Sequence, residues 1–329
     1  MGDELQLLTN SRRSCFLSCP RKHYFMYELC RRPLIESKAL TFGKMFHRAL
    51  ELWLTGGAGN VAGIIDLVVH ARDAGEDNDP YTIRRLHALM DGYDTVYGAS
   101  RQNYKTVSAE REYRAPLINP MTMKESRTWL LAGKIDAIVE DANGNQIIVE
   151  HKTTSDSVAP ESDYWPRLTV DGQISGYMVG AATLDINAVH CLYDVIHKPA
   201  IKPHLATPPD KLKYNKDGRL SATCRLEDES PDDYYRRLRD DIFERPEYYY
   251  ARREIVRMDD EITEYMGDMW AVGQMIRDCQ LSKRWPKNVS ACTAMGTCCY
   301  FYVCTRCASI EDNTMFMTVD NVNSELTGG

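Results

Sequence analysis

Residues 129–154 carry two apolar runs joined by one short turn, and each run contains a carboxylate where its pattern calls for an apolar side chain. The first run includes Gly133-Lys-Ile-Asp136-Ala-Ile-Val-Glu140; the second reads Ile147-Ile-Val-Glu150-His151-Lys152-Thr-Thr. Between them lies Asp141-Ala-Asn-Gly-Asn145, and Asn-Gly favours the backbone of a tight hairpin turn. The pattern predicts strands over 129–140 and 146–153. Side chains alternate faces along a strand, so Glu150 and Lys152 share one face, while Ile147, Val149 and the His151 side chain take the other. Asp136 stands 14 residues before Glu150, and antiparallel pairing brings the two side by side. A solvated amphipathic hairpin is the bland alternative. The apolar character of both strands argues against it, because polar groups at the end of a buried strand are costly unless paired or used.

Two carboxylates beside a lysine make a chemically meaningful set. Hard divalent cations such as Mg²⁺ and Mn²⁺ prefer carboxylate and water oxygens. Such an ion lowers the pKa of bound water and offsets charge on a phosphoryl group, and Lys152 could orient the water or stabilise the transition state. Gln173 and Tyr177 lie four apart on the next predicted helix, 168–183, and so share a face that can overhang the carboxylates. His47 follows Gly43 by four on an earlier helix, and Glu110, read as preceding the first strand, is a further candidate carboxylate.

The remaining pattern encloses this hairpin. Residues 12–31 and 41–54 read as helices, the second with apolar residues at Phe42, Met45, Phe46, Ala49, Leu50 and Trp53. Further helices are expected over 60–74 and 82–96, separated by a turn-rich stretch at 75–80. A strand is expected over 107–114, another over 188–196, and helices over 231–246 and 258–280. Residues 199–229, rich in Pro, Lys and Asp, read as a long loop or insertion. The expected organisation is a helical region 1–104, an α/β core 105–200, an insertion and C-terminal helices 201–284, a cysteine segment 285–307, and a loosely ordered acidic tail 308–329.

Charge and cysteine content sharpen the picture. The formal charge of −7 argues against a general nucleic-acid coat protein. Residues 12–48 nevertheless hold nine Lys/Arg against Glu28 and Glu36, interleaved with Phe16, His23, Tyr24, Phe25 and Tyr27, a pattern that can follow a phosphate backbone or simply form a solvated helix face. No apolar run approaches the roughly 18 residues of a membrane helix, and the start, Met1-Gly-Asp-Glu4, is not a secretory signal. A cytoplasmic setting is therefore expected, where stable disulfides are rare, and the 11 cysteines need another role.

Taken together, Gly43-x-x-x-His47, Gly133-x-x-Asp136, Glu150-x-Lys152 and Gln173-x-x-x-Tyr177 resemble, in chain order, the motifs of the RecB-like nucleases of the PD-(D/E)XK superfamily. The resemblance implies a restriction-endonuclease-like mixed sheet flanked by helices. It implies that His47, Asp136 and Glu150, with the backbone carbonyl of His151, bind Mg²⁺ or Mn²⁺. It casts Lys152 as the catalytic lysine, acting with Asp136 and Glu150, and Gln173 and Tyr177 as DNA contacts. Cys19-Pro-Arg-Lys-His-Tyr24 and the late Cys292, Cys298 and Cys304 resemble the iron–sulfur subgroup, which includes AddB-type helicase–nucleases, CRISPR-associated RecB-like exonucleases and phage stand-alone nucleases. There one early and three late cysteines hold a 4Fe-4S cluster in a helical region built from both chain ends. Cys15, Cys299 and Cys307 are alternative ligands, and Cys304-x-x-Cys307 also has zinc-like spacing. Four thiolates suit either group, and ligands so far apart in sequence would staple the enclosure shut.

The expected function is a metal-dependent DNA exonuclease acting on single strands or duplex ends in recombination, repair or phage DNA processing, within a bacterial cell or phage-infected host. The main alternative is a non-catalytic DNA-binding or recombination-complex subunit with a structural iron–sulfur or zinc site. A Gly-x-x-x-x-Gly-Lys-Ser/Thr phosphate loop is absent, so unwinding would need a helicase partner. Some stand-alone relatives form toroids, so an oligomer is compatible with the resemblance.

Overall fold

A computed structural model describes residues 5–35, 38–57, 59–71, 79–294 and 296–326. In chain order the elements are β1 (Gln6–Leu8), α1 (Asn10–Ser18), α2 (Pro20–His23), β2 (Arg31–Pro33), α3 (Lys38–Leu52), α4 (Val61–His70) and α5 (Pro80–Arg101). Then come β3 (Tyr104–Ile118), β4 (Glu125–Asp141), β5 (Gln146–Thr154), α6 (Gly172–Thr183), β6 (Ala188–His197), α7 (Pro231–Glu244) and α8 (Pro246–Tyr249). The chain ends with β7 (Tyr250–Ile255), α9 (Asp259–Ser282), α10 (Phe301–Cys304) and β8 (Phe316–Thr318). Most of the turn read at 75–80, with residues 72–74 of the preceding helix, lies outside the described residues. No described helix is long and apolar enough to cross a membrane.

The centre is a mixed sheet in the order β1-β4-β5-β6-β7, with β3 on the other edge of β4. The 17-residue β4 is long enough to pair with β1 at Trp129–Leu131 and with β5 at Ala137–Glu140 along one edge while β3 runs along the other. β1 runs parallel to β4 and β5 parallel to β6; the other pairs are antiparallel. A mixed sheet flanked by helices is the architecture expected from sequence. Its limits are wider than 105–200, because β1 and β7 join it from outside that range, and no strand was expected at either place.

Each sheet face is covered by helices whose apolar spacing matches it. Phe42, Met45, Phe46, Ala49, Leu50 and Trp53 of α3 are all buried, as their spacing predicts, against Ala137, Val139, Ile147 and Val149 together with α4, α5 and α7. On the opposite face α6 packs through Ile174, Tyr177 and Ala181 against Ile138, Ile148 and Val195. α9 covers the far end of β3 and β4 around Trp129.

Three expectations are corrected. The helix read over 12–31 breaks at Cys19, which is extended at φ −161°, because Pro20 cannot sit inside a helix and forces the preceding residue out of helical geometry. The tail is anchored rather than loose: β8 pairs with β2, Phe316 stacks on Tyr300 at 5.5 Å, and the Thr9 hydroxyl donates to Glu325 at 2.6 Å. The basic segment 12–48 is largely consumed by packing. Arg12 is buried against Trp129 and paired with Glu28, Arg13 lies 3.7 Å from Asp268, Arg31 pairs with Glu311, and Arg32 donates to the Val322 carbonyl. The loop expected over 199–229 is observed, with a single 3₁₀ turn at Pro209–Lys211 and a Tyr214–Leu220 bridge.

Glycines let α6 approach the sheet. Tyr113 on β3 lies directly across from Gly133, and its ring fills the space that side chains at Gly133 and Gly180 would need; a Cβ at Gly133 would come within 2.5 Å of the Tyr113 hydroxyl. Gly180→Ala sets two effects against each other. Helix propensity favours Ala by about 1 kcal/mol, whereas overpacking against Tyr113 costs about 1–3 kcal/mol. The clash is with a ring held between helix and strand, so the net effect is destabilising. A lowered urea midpoint with unchanged slope is the expected result.

Candidate active site

The β4–β5 hairpin sets the geometry. Ala137 pairs with Val149, so one step further Asp136 and Glu150 occupy facing positions, and the His151 amide donates to Asp136 Oδ2 at 3.0 Å. Glu150 is almost fully buried at 1 % exposure, and it pairs with the half-exposed Lys152 on the same strand face. α3 runs close enough over β5 that a Cβ at Gly43 would touch Thr153, and one turn later His47 Nδ1 reaches to 3.4 Å from Asp136 Oδ2. From the other side Gln173 Nε2 donates to Glu150 Oε1 at 3.1 Å and also contacts the Tyr177 hydroxyl. The structure thus brings together His47, Asp136, Glu150, Lys152, Gln173 and Tyr177, drawn from α3, β4, β5 and α6.

Burial, and then the nearby charge of Asp136, push the Glu150 carboxyl up to about 7. Burial also opposes ionisation of Asp136, but the charge of His47 and hydrogen bonds from His151 and His47 hold its carboxyl well below the usual range. For Lys152, burial disfavours the ammonium while Glu150 and Asp136 outweigh it and keep it charged. Glu150 Oε2 is buried without a hydrogen-bond partner. That orphaned oxygen, with Asp136 and His47 beside it, fits a hard divalent cation. Asp136 is engaged with His47 and Glu150 with Lys152, and among the described residues no group of three or more His, Cys, Asp or Glu is gathered into a metal cage.

Glu110 lies in the middle of β3 rather than before it, across from Asp136, with a left-handed φ of +51°. A non-glycine residue there costs about 1–3 kcal/mol, and such strain concentrates at functional sites. Its carboxylate pairs with Lys134.

One polar group was missed. As expected, the His151 ring points to the face opposite Glu150. There it meets Tyr93, whose hydroxyl is 3.3 Å from Nε2 and donates to Asp194 at 2.6 Å. Arg252 grips the same carboxylate through Nε at 2.5 Å and Nη2 at 2.6 Å. His151, Asp194 and Arg252 are successive partners across β5, β6 and β7. The signal available was Asp194 itself, a carboxylate inside the apolar run Cys191–Ile196, which must be paired if that strand is buried.

The cysteines from the two ends also meet. The Asn288 amide donates to Cys19 Sγ at 3.4 Å while Cys292 donates to the Asn288 carbonyl, and the Cys298 amide donates to the Cys292 carbonyl at 2.9 Å. Burial raises the Cys304 thiol, and Cys19 and Cys298 are near enough to add to the effect. Burial likewise pushes Cys15 up to about 11, with Cys19 and Cys298 again contributing. All eleven cysteines are free thiols.

Asp136, Glu150 and Lys152 thus form a buried carboxylate pair with an adjoining lysine on the central sheet. The family model of the PD-(D/E)XK nuclease superfamily matches residues 8–280, and the chain belongs to that superfamily. Its members generally use divalent metal ions. No curated protein matches the sequence. Among solved structures, a phage-related exonuclease from Haemophilus somnus 129PT is 15% identical with a TM-score of 0.31, over 69% of this chain and 82% of that one. A second, SSO0001, is 13% identical with a TM-score of 0.29, over 88% of this chain and 94% of that one.

Two measurements follow. Asp194→Ala leaves Arg252 without its carboxylate and should cost roughly 3–5 kcal/mol, the scale for breaking a buried pair, seen as a large fall in the urea midpoint. If Glu150 ligates a divalent cation, a proton competes with the cation for its carboxylate below about pH 7. Because His47, lowered by burial but raised on balance by Asp136, would have to lose its proton as well, calorimetric Mn²⁺ affinity should rise with pH through neutrality, with proton release accompanying binding.

Proposed function

We propose that this nuclease-superfamily chain is a Mg²⁺- or Mn²⁺-dependent DNA exonuclease acting on single strands or duplex ends, in recombination, repair or phage DNA processing. The observation that carries the reading is the facing of Asp136 and Glu150 across β4 and β5, with Lys152 on the same face and Gln173 bonded to Glu150. His47, Asp136, Glu150 and the His151 carbonyl would hold the metal. A bound ion would acidify its water and offset charge on the phosphoryl group. Lys152, kept charged by the two carboxylates, stabilises the negative charge that develops on the phosphate oxygens. Gln173 orients Glu150, and with Tyr177 it forms the wall against which a nucleotide rests.

The same reading gives Cys19, Cys292, Cys298 and Cys304 a 4Fe-4S cluster, supported by the hydrogen bonds that link Cys19, Cys292 and Cys298 through Asn288. Zinc is the competing occupant, and anaerobic purification separates the two by colour and metal content. DNA is the substrate partner, a helicase or recombination protein would supply unwinding, and the setting is the cytoplasm of a bacterial cell or phage-infected host.

Asp136→Ala and Lys152→Ala should each slow digestion of end-labelled DNA with Mg²⁺ or Mn²⁺ by at least about a hundredfold. Wild-type rates in either variant would overturn the assignment. Tight DNA binding by wild type with no metal-dependent cleavage would favour a non-catalytic binding subunit.

A further inference from the structure

A cluster of exposed positive charge lies apart from the carboxylates and from the basic N-terminal segment, on the insertion after β6. Residues 198–225 contain seven Lys/Arg (Lys198, Lys202, Lys211, Lys213, Lys216, Arg219 and Arg225) against Asp210 and Asp217, in a chain whose overall charge is −7. All but Lys198 are exposed. Among the described residues only Arg219 has an acidic partner, Asp217 at 3.9 Å. Of the acidic residues that follow, Glu227 and Asp228 are exposed, Asp228 accepting from the Ala206 amide at 2.7 Å, while Glu229 is half-buried and held by Arg237 at 2.7 Å and by the His204 amide at 2.9 Å. These carboxylates lie at the base of the insertion, and Lys211, Lys213, Lys216 and Arg219 around its tip are exposed with Asp210 and Asp217 as the acidic residues of that stretch.

The segment has a folded shape. Tyr214 bridges Leu220, the Asn215 amide donates to the Arg219 carbonyl at 2.8 Å, and the Ser221 amide donates to the Lys213 carbonyl at 2.8 Å. Gly218, at φ +77°, turns the tip. Cys224 is buried beneath it, and the Thr207 amide donates to the Arg225 carbonyl at 2.8 Å to close the base. Tyr214 stands 61% exposed between Lys213 and Lys216.

This arm springs from the sheet at the candidate site. Lys152 pairs in register with Val195, and the Lys198 amide donates to the Thr154 carbonyl at 2.7 Å. Lys198 follows Val195 by three steps, roughly 10 Å of extended chain, so the root of the arm lies close to Lys152.

We propose that residues 198–225 form a cationic arm that holds the phosphate backbone of the DNA strand a few nucleotides from the cleavage point, with Tyr214 as a stacking surface for a base. The inference rests on the nuclease reading and assigns the substrate track of that site. Exposed lysines set around an exposed aromatic on a bridged hairpin match sequence-independent single-strand binding. An acidic protein partner would also meet the charge, but it would give no role to an arm rooted beside Lys152.

The test is the full chain carrying Lys211→Gln, Lys213→Gln and Lys216→Gln, compared with wild type on a long single strand and on a trinucleotide too short to reach the arm. Three lost phosphate contacts should lower the slope of log affinity against log salt by about 2. Between 50 and 200 mM salt, wild type should then lose about twentyfold more affinity than the variant. KM for the long strand should rise with kcat unchanged, and trinucleotide hydrolysis should match wild type. An unchanged salt slope overturns the arm, as does an equal loss on both substrates. Lys216→Gln alone guards against misfolding: its slope should fall by about 0.7, and no change is equally decisive against the proposal. Binding measured in Ca²⁺ keeps the readings separate. If wild type binds DNA and cleaves none, the nuclease reading fails while the salt slope still decides the arm.

Discussion

Asp136 and Glu150 face each other across β4 and β5, buried, with like charges, at the centre of the molecule. Such a pair is stable only if opposite charge is supplied to it or one proton is retained. Much of the surrounding structure provides that compensation. α3 delivers His47 to Asp136, β5 delivers Lys152 to Glu150, and α6 delivers Gln173 to the same carboxylate. Each delivery depends on close packing elsewhere. α6 can reach Glu150 because Gly133 and Gly180 leave room for Tyr113 between helix and sheet.

β5 is polar on both faces at this point. On one side stand Glu150 and Lys152; on the other, His151 joins Tyr93, Asp194 and Arg252 in a satisfied network with Asp194 fully buried. Networks of this kind fix one arrangement of the strands, because any slip leaves a buried charge unpaired. The His151 amide also donates to Asp136, so the strand holding the rear network holds the front carboxylate as well. Rigidity at the back of the sheet is thereby linked to placement of the acidic pair at the front.

The two chain ends form a second unit around the cysteines. β2 and β8 pair there, Arg21 donates to the Trp285 carbonyl, and Arg12, Glu28 and Gln280 form a buried polar knot. The arginines of residues 12–48 largely serve this enclosure. Their aromatic interleaving reflects stacking such as Arg12 on Trp129 and Arg32 on Tyr27. Exposed lysines also stand on the insertion, read from sequence as a long loop or insertion.

Local pattern determined much. Period-two alternation with an Asn-Gly turn specified the hairpin, and the spacing from Asp136 to Glu150 specified that they meet, since a hairpin's register follows from its turn. The apolar stripe of α3 specified its buried face, and the spacing from Gln173 to Tyr177 specified a helix face that can overhang the carboxylates. Tertiary structure alone decided the rest. β1 and β7 are too short, and their partners too distant in sequence, for periodicity to reveal that they extend the sheet. Pro20 outweighed the helical pattern around it through its missing amide. The pairing of Asp194 with Arg252, the strain at Glu110 and the outward charge of the 198–225 arm depend on which groups long-range packing buries and which it leaves in water, and no local window of sequence contains that information.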